Sequence, residues 1–472
     1  MNKRGLLIGG EEIFTSSSFP VKNKWTGEVV AHIASAEKSH VDLAVDTASE
    51  TFKKDRFSPY DRYEILNRTA QLMRERKDQF VEALVLDVGK PIKEARVEVD
   101  RAIQVMILSS EEAKRIGGEV VPLAASPGNQ KKMGYYVRVP IGVICSITPF
   151  NLPLSLSCHK LGPAIASGNT VVWKPASNTP LSAYLLYEAL ADAGLPAGYV
   201  NLICGSGSTV GKWLMENEKI GKYTFTGSSA VGKYISENSG LRSVSLELGN
   251  NSPNIVHHDA DLDHAAKMCA KWGFINAGQT CVSVQRILVH KDVKDAFVEK
   301  LAECTSQLVV GDPFNDATDI GPLISQSEAV RIKEWIDDAV AQGAKIVIGG
   351  ELDGPVVQPT VLDLVTTEMK VACQEIFGPV LSVMTYEDLD DAIEEANDTA
   401  YGLQSAIFTT NLNTAMDAVN KLHTGGVVVN DASTFRSDLM PYGGIKNSGI
   451  GKEGPKYAIE QMTEMKMVVI HL

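Results

Sequence analysis

Three segments carry side chains suited to nucleophilic chemistry at a carbonyl carbon. Cys281 follows Gly278-Gln279-Thr280 in a loop, where a thiol can be exposed and mobile. A free thiol is only about 3% ionised at pH 7, so a nucleophilic role needs a nearby base or a positive dipole. Glu247 lies where a predicted strand ends, and burial there would raise its pKa toward that of a general base. Asn151 lies between two prolines, and its amide can donate to a developing oxyanion.

Each of these residues also has a purely structural interpretation. A lone cysteine is most often a small core residue. Glu247 could face solvent or join a salt bridge, and Asn151 could shape the turn between Pro149 and Pro153. Residue type alone leaves both interpretations open.

Two glycine-rich loops and a lysine indicate a ligand that contains phosphate. Residues 205–211 and 227–232 each follow a predicted strand, and glycine lets the backbone approach a pyrophosphate at a helix N-terminus. Neither loop has G-x-G-x-x-G spacing, and glycine turns also have structural roles. Lys174 follows the predicted strand 170–173, where it can reach ribose hydroxyls or a phosphate, or simply face solvent.

A run of histidines and aspartates from His257 to His264 resembles a metal site in composition. The aspartates fit a helix start, however, and no second cluster completes a coordination set. The 7 cysteines include no C-x-x-C pair, which argues against a structural zinc site and a disulfide framework. We therefore expect no metal and a reducing, cytoplasmic environment.

Strands and helices alternate along most of the chain, which predicts an α/β fold with parallel, doubly wound sheets. Amphipathic helices fill residues 38–116, with Ser39 and Ser58 at two of their starts. Strands alternate with helices between residues 143 and 256, and a second α/β lobe covers 261–425. Ligands of such sheets bind at the carboxyl ends of the strands.

Three segments depart from this alternation. The uncharged stretch 139–158 contains prolines, and we interpret it as a buried strand leading into a loop rather than as a membrane helix. Residues 118–141 and a final strand at 465–470 indicate an arm that could pair across subunits. Residues 427–430 start a loop-rich end.

The composition excludes several classes of partner. With 472 residues, the chain is long enough for about three domains. Its 45 basic and 58 acidic residues give a net charge of −13, and the basic residues are scattered among acidic ones. We therefore expect neither a nucleic acid nor a membrane as partner, but a small molecule. The apolar run at the N-terminus is too short for a signal peptide.

Seven segments, in order, resemble the motifs of the aldehyde dehydrogenase superfamily over essentially the whole chain. The resemblance implies a dinucleotide-binding domain (1–117 and 142–247), a catalytic domain (248–430) and a β oligomerisation arm (118–141 and 456–472). It also implies NAD or NADP as cofactor and a homodimer or homotetramer. The segments are Pro149-Phe150-Asn151-Leu152-Pro153, Trp173-Lys174-Pro175-Ala176, Phe225-Thr226-Gly227-Ser228, Leu246-Glu247-Leu248-Gly249, Gly278-Gln279-Thr280-Cys281, Glu375-Ile376-Phe377-Gly378-Pro379 and Pro441-Tyr442-Gly443-Gly444.

The resemblance also implies a role for each motif residue. Cys281 would be the nucleophile and Glu247 the general base, and the Asn151 amide would form an oxyanion hole with the Cys281 backbone N–H. Lys174 would contact the adenosine ribose, and the nicotinamide end would rest on Glu375 and Phe377. The implied cofactor-binding positions are Lys174, Ser177, Gly207, Gly211, Gly227, Ser228, Gly232, Leu248, Glu375 and Phe377.

Two positions depart from the family pattern. Asn250 stands where the family usually has a second glycine after Glu-Leu-Gly, and we expect the turn to survive because asparagine tolerates a positive φ. Ser177 stands where members that prefer NAD often carry a glutamate. Without that carboxylate a 2′-phosphate is not repelled, so we expect NADP to be used, with dual use of NAD possible.

The segment 431–441 resembles the branch that acts on lactaldehyde, non-phosphorylating glyceraldehyde 3-phosphate and phosphonoacetaldehyde-like substrates. Arg436 offers planar donors for a carboxylate, sulfonate or phosphate, and His159 and Arg101 could join it. Alternatively, Arg436 pairs with Asp431 or Asp438 in a loop salt bridge.

Three other functions remain open at this point. Succinic semialdehyde is a second candidate substrate. A CoA-acylating semialdehyde dehydrogenase would not need the base Glu247, which this sequence has. A catalytically silent nucleotide-binding relative would not need Cys281, Glu247 and Asn151 together.

Overall fold

The computed structural model describes residues 2–54 and 57–472, and it confirms the α/β fold class. Its strands, in chain order, are β1 (Asn2–Arg4), β2 (Leu6–Ile8), β3 (Glu11–Ile13), β4 (Ser18–Lys22), β5 (Val29–Ala34), β6 (Gly118–Val121), β7 (Lys132–Pro140), β8 (Val143–Ile147), β9 (Thr170–Lys174), β10 (Val200–Leu202), β11 (Ile220–Thr226), β12 (Ser243–Glu247), β13 (Pro253–Val256), β14 (Arg286–His290), β15 (Lys345–Ile348), β16 (Leu352–Asp353), β17 (Val356–Val357), β18 (Thr360–Asp363), β19 (Val380–Tyr386), β20 (Gln404–Phe408), β21 (Gly426–Val429), β22 (Gly449–Ile450) and β23 (Thr463–His471). Its helices are α1 (Lys38–Lys54), α2 (Pro59–Glu75), α3 (Lys77–Val88), α4 (Ile92–Ala113), α5 (Pro153–Ala166), α6 (Leu181–Asp192), α7 (Gly207–Glu216), α8 (Ser229–Asn238), α9 (Leu262–Phe274), α10 (Lys294–Ser306), α11 (Gln326–Ala341), α12 (Lys370–Cys373), α13 (Leu389–Asn397), α14 (Leu412–Lys421) and α15 (Pro455–Gln461).

An eight-stranded sheet carries most of the predicted cofactor residues at its strand ends. Its order is β22-β12-β11-β8-β9-β10-β2-β3, and β8 to β12 run parallel. The chain adds β9 and β10 on one side of β8 and then β11 and β12 on the other. Ligands of doubly wound sheets bind at the carboxyl ends of strands beside such a reversal. Asn151 follows β8 and Glu247 ends β12, so both lie at that edge.

A seven-stranded sheet lies next to this edge, and it is the amino ends of its strands that face the edge. Its order is β15-β18-β19-β14-β13-β20-β21, with neighbours parallel except β15 and β18. Gln285, just before β14, donates from Nε2 to the backbone carbonyl of Asn250 at 3.2 Å, and Asn250 lies three residues after Glu247. The amino ends of β13 and β14 therefore meet the carboxyl end of β12. This brings the Cys281 loop, which leads into β14, toward Glu247.

Strands β6, β7 and β23 form an antiparallel arm. β23 pairs with β7 of the same chain, in a register that runs from Thr463 opposite Pro140 to His471 opposite Lys132. The terminal strand and the predicted arm therefore form one antiparallel unit within the chain, and their pairing across subunits stays a prediction.

The buried strand and the loop predicted within residues 139–158 are confirmed, but helix α5 begins before the stretch ends. β8 ends at Ile147, and α5 then runs from Pro153 to Ala166 with every residue buried. Because no face of this helix meets solvent, it lacks the amphipathic pattern by which helices are found in a sequence. Pro153 occupies its first position, where the missing N–H costs nothing.

Smaller differences concern where elements begin. Ser58 caps α2 as predicted, since its hydroxyl accepts the Asp61 N–H at 3.2 Å in a capping box. α1 begins at Lys38, so Ser39 lies inside its first turn instead of capping it. Residues 426–429 are strand β21 rather than the start of a loop-rich end. Among residues 2–54 and 57–472, no helix is both long and apolar enough to cross a bilayer.

Candidate active site

The loop that carries Cys281 has an unusual backbone. Asn276, Ala277 and Gly278 follow one another with φ of 52°, 54° and 72°, in the left-handed region that most residues avoid. A Cβ at Gly278 would lie 2.0 Å from the carbonyl oxygen of Gly378, so glycine is required there. The loop turns Cys281 toward Tyr442, and Sγ lies 3.0 Å from the Tyr442 hydroxyl. Burial raises the pKa of the Cys281 thiol to about 11, although the Tyr442 hydroxyl and Arg436 act to lower it.

Glu247 ends β12 in a buried position. Within the part of the chain that the structure describes, neither of its carboxylate oxygens has a hydrogen-bond partner. Burial, and then the charge of Glu453, raise the pKa of Glu247 well above its usual range. A Cβ at Gly443 would lie 2.8 Å from Glu247 Oε1, so this glycine keeps room beside the carboxylate. Glu247 is thus suited to take a proton from a water molecule.

Asn151 connects the two sheets at this edge. It follows β8 and is buried, and its Nδ2 donates to the backbone carbonyl of Gln279 at 2.8 Å, two residues before Cys281. The negative charge of Glu247 contributes to the raised pKa of Cys281. The structure therefore brings the three predicted catalytic residues into one site.

The predicted cofactor residues Lys174 and Ser177 lie at the end of β9. Lys174 is buried, which lowers the pKa of its amine, and Nζ contacts only the Pro175 carbonyl at 3.4 Å among the described contacts. Ser177 donates from Oγ to the Gly205 carbonyl at 2.8 Å. Gly207 and Gly211 lie on α7, and a Cβ at either position would meet open space, so neither is needed for packing.

The second glycine loop packs against β12. Gly227 donates its N–H to the Glu247 carbonyl at 3.0 Å, and Ser228 is the exposed N-cap residue of α8. A Cβ at Gly232 would lie 2.3 Å from the side chain of Leu248, so helix and strand approach as closely as glycine allows. The N-terminus of α8 is therefore left open to an anion.

Glu375 and Phe377 approach this loop from the seven-stranded sheet. Glu375 Oε1 accepts the Asn250 N–H at 2.9 Å, and burial raises the pKa of its carboxyl to about 7. The backbone at Asn250 differs from the expectation, because its φ is not positive. Instead its buried amide donates to Ser252 Oγ at 2.6 Å.

Phe377 lines a cavity next to this turn. Its ring meets Phe150 edge-on at 5.8 Å between centroids. The cavity has a volume of about 280 Å³, and its walls are Phe150, Asn178, Gln279, Ile324, Ser325, Glu328 and Phe377. Space for a ligand thus exists between the two sheets, beside the residues that flank Asn151 and Cys281.

The three predicted substrate residues lie together in a polar cluster. Arg436 Nη2 is 3.2 Å from His159 Nε2, which is 3.0 Å from Asp438 Oδ1, and Arg101 Nη2 donates to the same oxygen at 2.8 Å. Arg436 forms its ion pair with Glu453 at 3.0 Å and not with Asp431 or Asp438, so the partners expected for a loop salt bridge are wrong. The guanidinium also stacks on Tyr442, 3.8 Å from the ring centroid.

Sequence reasoning missed two charged residues of this site. Lys160 and Glu453 are buried and form an ion pair at 3.0 Å. Burial acts to raise the pKa of Glu453, but Lys160 and Arg436 outweigh it and lower this pKa to about 2. Lys160 stands next to the predicted His159, and a lysine in an otherwise apolar stretch was the available signal.

The run that was expected to bind no metal contains a cluster of three possible ligands. Ligand atoms of His257, His258 and Asp259 lie within 4.8 Å of one another. Two of them have other partners. The Asp259 carboxylate accepts both the Thr409 and the Thr410 hydroxyl, and His257 Nδ1 lies 2.9 Å from the Tyr386 hydroxyl. The cluster lies at the carboxyl end of β13, whereas Cys281 and Glu247 meet near the amino end of β13. The cluster is therefore separate from the candidate active site.

Comparisons with known proteins agree with this geometry. The sequence profile described as the aldehyde dehydrogenase family matches residues 13–468. A 3-sulfolactaldehyde dehydrogenase of Priestia aryabhattai is 50% identical over 468 residues, which cover 99% of this chain and 98% of that protein. A lactaldehyde dehydrogenase of Methanococcus vannielii is 41% identical over 473 residues, covering 99% and 100%. The solved structure of NADP-dependent glyceraldehyde-3-phosphate dehydrogenase from Bacillus halodurans, complexed with NADP, matches with a TM-score of 0.97 and 36% identity, covering 100% of both chains.

The family profile spans nearly the whole chain, and the solved structure shares its complete fold. The motifs that match also meet in one site between the two sheets. The chain belongs to the aldehyde dehydrogenase family and is an aldehyde-oxidising oxidoreductase.

Proposed function

We propose that the protein oxidises a short anionic aldehyde to the carboxylic acid, with NADP or NAD as the electron acceptor. The observation that supports this most directly is the stack of Arg436 on Tyr442, whose hydroxyl touches the Cys281 thiol. One aromatic ring therefore separates a guanidinium from the nucleophile. That spacing suits a substrate whose anionic group lies only a few bonds from its aldehyde carbon.

The chain's own residues provide for each covalent step. Cys281 first loses its proton to solvent, and the thiolate attacks the aldehyde carbon to form a thiohemiacetal. The Asn151 amide and the Cys281 N–H stabilise its oxyanion. When bound, the nicotinamide dinucleotide supplies the acceptor for the hydride that leaves this carbon. The product on Cys281 is a thioester. Glu247 then takes a proton from water, the hydroxide displaces the sulfur, and acid and thiol are released.

The residues at the carboxyl ends of the eight-stranded sheet fit a dinucleotide. Within the described part of the chain, Lys174 Nζ forms one weak hydrogen bond, at 3.4 Å, so it can turn to ribose hydroxyls or a 2′-phosphate. Gly227, Ser228 and Gly232 would hold the pyrophosphate at the open N-terminus of α8. Glu375, whose carboxylate already accepts a backbone N–H, would hold the nicotinamide ribose.

We also propose the domain organisation that this assignment requires. Residues 1–117 and 142–247 form the dinucleotide-binding domain, 248–430 the catalytic domain, and 118–141 with 456–472 the arm. Met465, Met467 and Val469 of the arm are exposed, which supports a homodimer or homotetramer in which a second copy covers them. A cytoplasmic location suits the free thiol chemistry.

The names of three relatives support this substrate class. Two of them are named for 3-sulfolactaldehyde and glyceraldehyde 3-phosphate, which are short aldehydes with a sulfonate or phosphate. Lactaldehyde, named for the third, has the same carbon chain without the anionic group. We rank a sulfonate- or phosphate-bearing aldehyde first and succinic semialdehyde, a carboxylate, second.

The test is a panel of aldehydes assayed with both cofactors on the wild type and on Arg436→Leu. The panel contains 3-sulfolactaldehyde, glyceraldehyde 3-phosphate, succinic semialdehyde, lactaldehyde and propanal. A charge-assisted contact is worth about 1.5–3 kcal/mol, so Arg436→Leu lowers kcat/KM for anionic aldehydes by roughly 10- to 150-fold relative to propanal. Loss of Arg436 also leaves Glu453 with one partner, which could disturb the site for every substrate. The ratio of kcat/KM for an anionic aldehyde to kcat/KM for propanal cancels that common effect. Equal losses on charged and neutral aldehydes contradict anion binding by Arg436.

The cofactor preference has its own variant. Ser177→Glu places a carboxylate where the ribose 2′-position is expected, which favours a 2′-hydroxyl and repels a 2′-phosphate. We expect kcat/KM for NADP to fall and the NAD/NADP ratio to rise by about 10-fold or more, as one or two lost charge-assisted contacts imply. A wild type that does not reduce NADP contradicts this assignment.

A further inference from the structure

The backbone carbonyl of Asn151 is a meeting point of two networks. It accepts a hydrogen bond from Lys90 Nζ at 2.9 Å and another from Asn276 Nδ2 at 3.1 Å. The side-chain amide of the same residue donates to Gln279 on the Cys281 loop. The residue proposed as oxyanion donor is therefore held by partners on its backbone as well as on its side chain.

The first network is a buried ion pair that fixes the start of α5. Lys90 and Glu98 have side chains only 1% and 2% exposed and contact each other directly. Glu98 Oε1 accepts the N–H groups of Leu154 and Ser155 at 3.1 and 3.2 Å. A carboxylate from α4 thus caps α5, whose own N-cap residue is a leucine that cannot accept. Because both charges are paired and hydrogen-bonded, they hold the start of α5 rigidly.

The second network passes through Asn276 on the Cys281 loop. Its backbone N–H donates to Glu94 Oε2 at 2.9 Å, which ties the loop to α4. Its side-chain amide donates to the carbonyls of Asn151 at 3.1 Å and Gln279 at 3.3 Å. One amide therefore links the segment that follows the eight-stranded sheet to the segment that leads to Cys281. Its left-handed φ of 52° directs it there, and asparagine tolerates that conformation better than most residues.

We propose that Asn276 is a positioning residue that sets the two halves of the oxyanion hole, the Asn151 amide and the Cys281 backbone N–H, at a fixed distance. This inference rests on the proposed function. Both donors must aim at one oxygen, and they come from different sheets whose separation no covalent bond fixes. The side-chain amide of Asn276 joins them, because it donates to a backbone carbonyl in each of the two segments. Lys90 and Glu98 hold the segment of Asn151 against α4.

The position of the donors matters only when the oxyanion forms. Oxyanion donors act within a narrow distance range, and a shift of about 1 Å can cost on the order of 100-fold in rate. Loss of the Asn276 amide should therefore slow formation of the thiohemiacetal and hydride transfer. Dinucleotide affinity should be unchanged, because Lys174, the 227–232 loop and Glu375 lie on other segments.

The test compares three variants by the rate constant of the first-turnover NADPH burst and by the Kd for NADP. Asn276→Gly removes the amide and keeps the left-handed backbone, and it should slow the burst by about 10- to 100-fold with Kd unchanged. Asn276→Asp keeps the shape but points an acceptor at two carbonyls, and it should slow the burst at least as much. Asn430→Gly is the matched control, since Asn430 is also left-handed at φ 58° but contacts Thr409 N away from the site. It should leave the burst unchanged.

A double-mutant cycle with Asn151→Ala separates positioning from general damage. If Asn276 acts through Asn151, then Asn276→Gly costs less than about threefold in the Asn151→Ala background, because the donor it positions is gone. Equal, additive losses in both backgrounds, or a wild-type burst in Asn276→Gly, overturn the inference while leaving the proposed function intact. A full burst in Asn151→Ala alone contradicts the oxyanion hole itself, and with it the proposed mechanism. If Asn276→Gly fails to fold, the same cycle is run with Asn276→Asp.

Discussion

Glu247 and Glu453 are two buried carboxylates of one site, and they differ in what surrounds them. Neither oxygen of Glu247 has a hydrogen-bond partner among the described residues, and burial raises its pKa well above the usual range. Glu453 accepts from Lys160 Nζ and Arg436 Nη2, each at 3.0 Å. Burial opposes its ionisation too, but these cations lower its pKa to about 2.

The contrast shows that partners, and not burial, decide what a carboxylate can do here. A buried carboxylate without partners binds a proton readily, which is what a general base requires. A buried carboxylate between two cations stays ionised and keeps them in place. The pocket of Cys281 and Glu247 is therefore suited to reaction, and the Arg436–Glu453 network to binding and orientation.

The most severe way to test this division is to remove the nucleophile. Cys281→Ala should lower turnover by at least about 10³-fold, because the proposed thioester forms on its sulfur, while NADP affinity remains. The rate of NADPH formation measures turnover, and isothermal titration with NADP measures cofactor affinity. Cys304→Ala, a partly exposed cysteine on α10, is the control and should retain full activity. Substantial turnover in Cys281→Ala would assign the nucleophile to another cysteine.

Removal of the base should separate the two halves of the reaction. Glu247→Gln keeps the shape of the side chain but cannot take a proton from water. We expect steady-state turnover to fall by about 10²- to 10⁴-fold while the first-turnover burst of NADPH survives, because thioester formation precedes the attack of water. Stopped-flow absorbance at 340 nm shows both phases. Loss of the burst would mean that Glu247 chiefly activates Cys281.

Much of the reactive pocket was predictable from the sequence, and so was Arg436 of the binding network, but the ion-pair partners of Arg436 and Lys160 were not. Cys281, Glu247 and Asn151 each lie at the end of a predicted element, and parallel topology brings such ends together. Glu453 lies in no recognisable element pattern, and its contacts with Lys160 and Arg436 span 293 and 17 residues. Periodicity describes neighbours along one element, so it carries no signal for such a contact.

The buried helix α5 escaped prediction for a related reason. α5 has no exposed face, so its helical period cannot be seen in the hydrophobic pattern. The positive φ expected at Asn250 is absent, and its buried side-chain amide instead donates to Ser252 Oγ. What a residue does in the core depends on partners that the local sequence does not name.

The two carboxylates should differ most clearly in how thermal stability changes when each charge is removed. Glu453→Gln breaks a buried pair on one side and leaves Lys160 and Arg436 without a counter-charge, which typically costs about 3–5 kcal/mol. Glu247→Gln removes a buried carboxylate that has no hydrogen-bond partner among the described residues, so it should raise the melting temperature at pH 7 slightly. Thermal-shift measurements on the two variants should therefore differ in sign, and a loss in both would contradict the comparison.

The pH dependence follows from the same two pKa shifts. The folded-state pKa of Glu453 is about 2, below the ordinary value of 4.5, so its contribution to stability is complete above pH 4.5 and is lost as the pH falls toward 2. The melting deficit of Glu453→Gln should therefore be largest at neutral pH and narrow below pH 4.5. The same variant removes a negative charge that raises the pKa of Glu247. Because Glu247 works as a base only when ionised, the acid limb of kcat should move to lower pH, and an unmoved limb would mean that the two carboxylates do not influence each other.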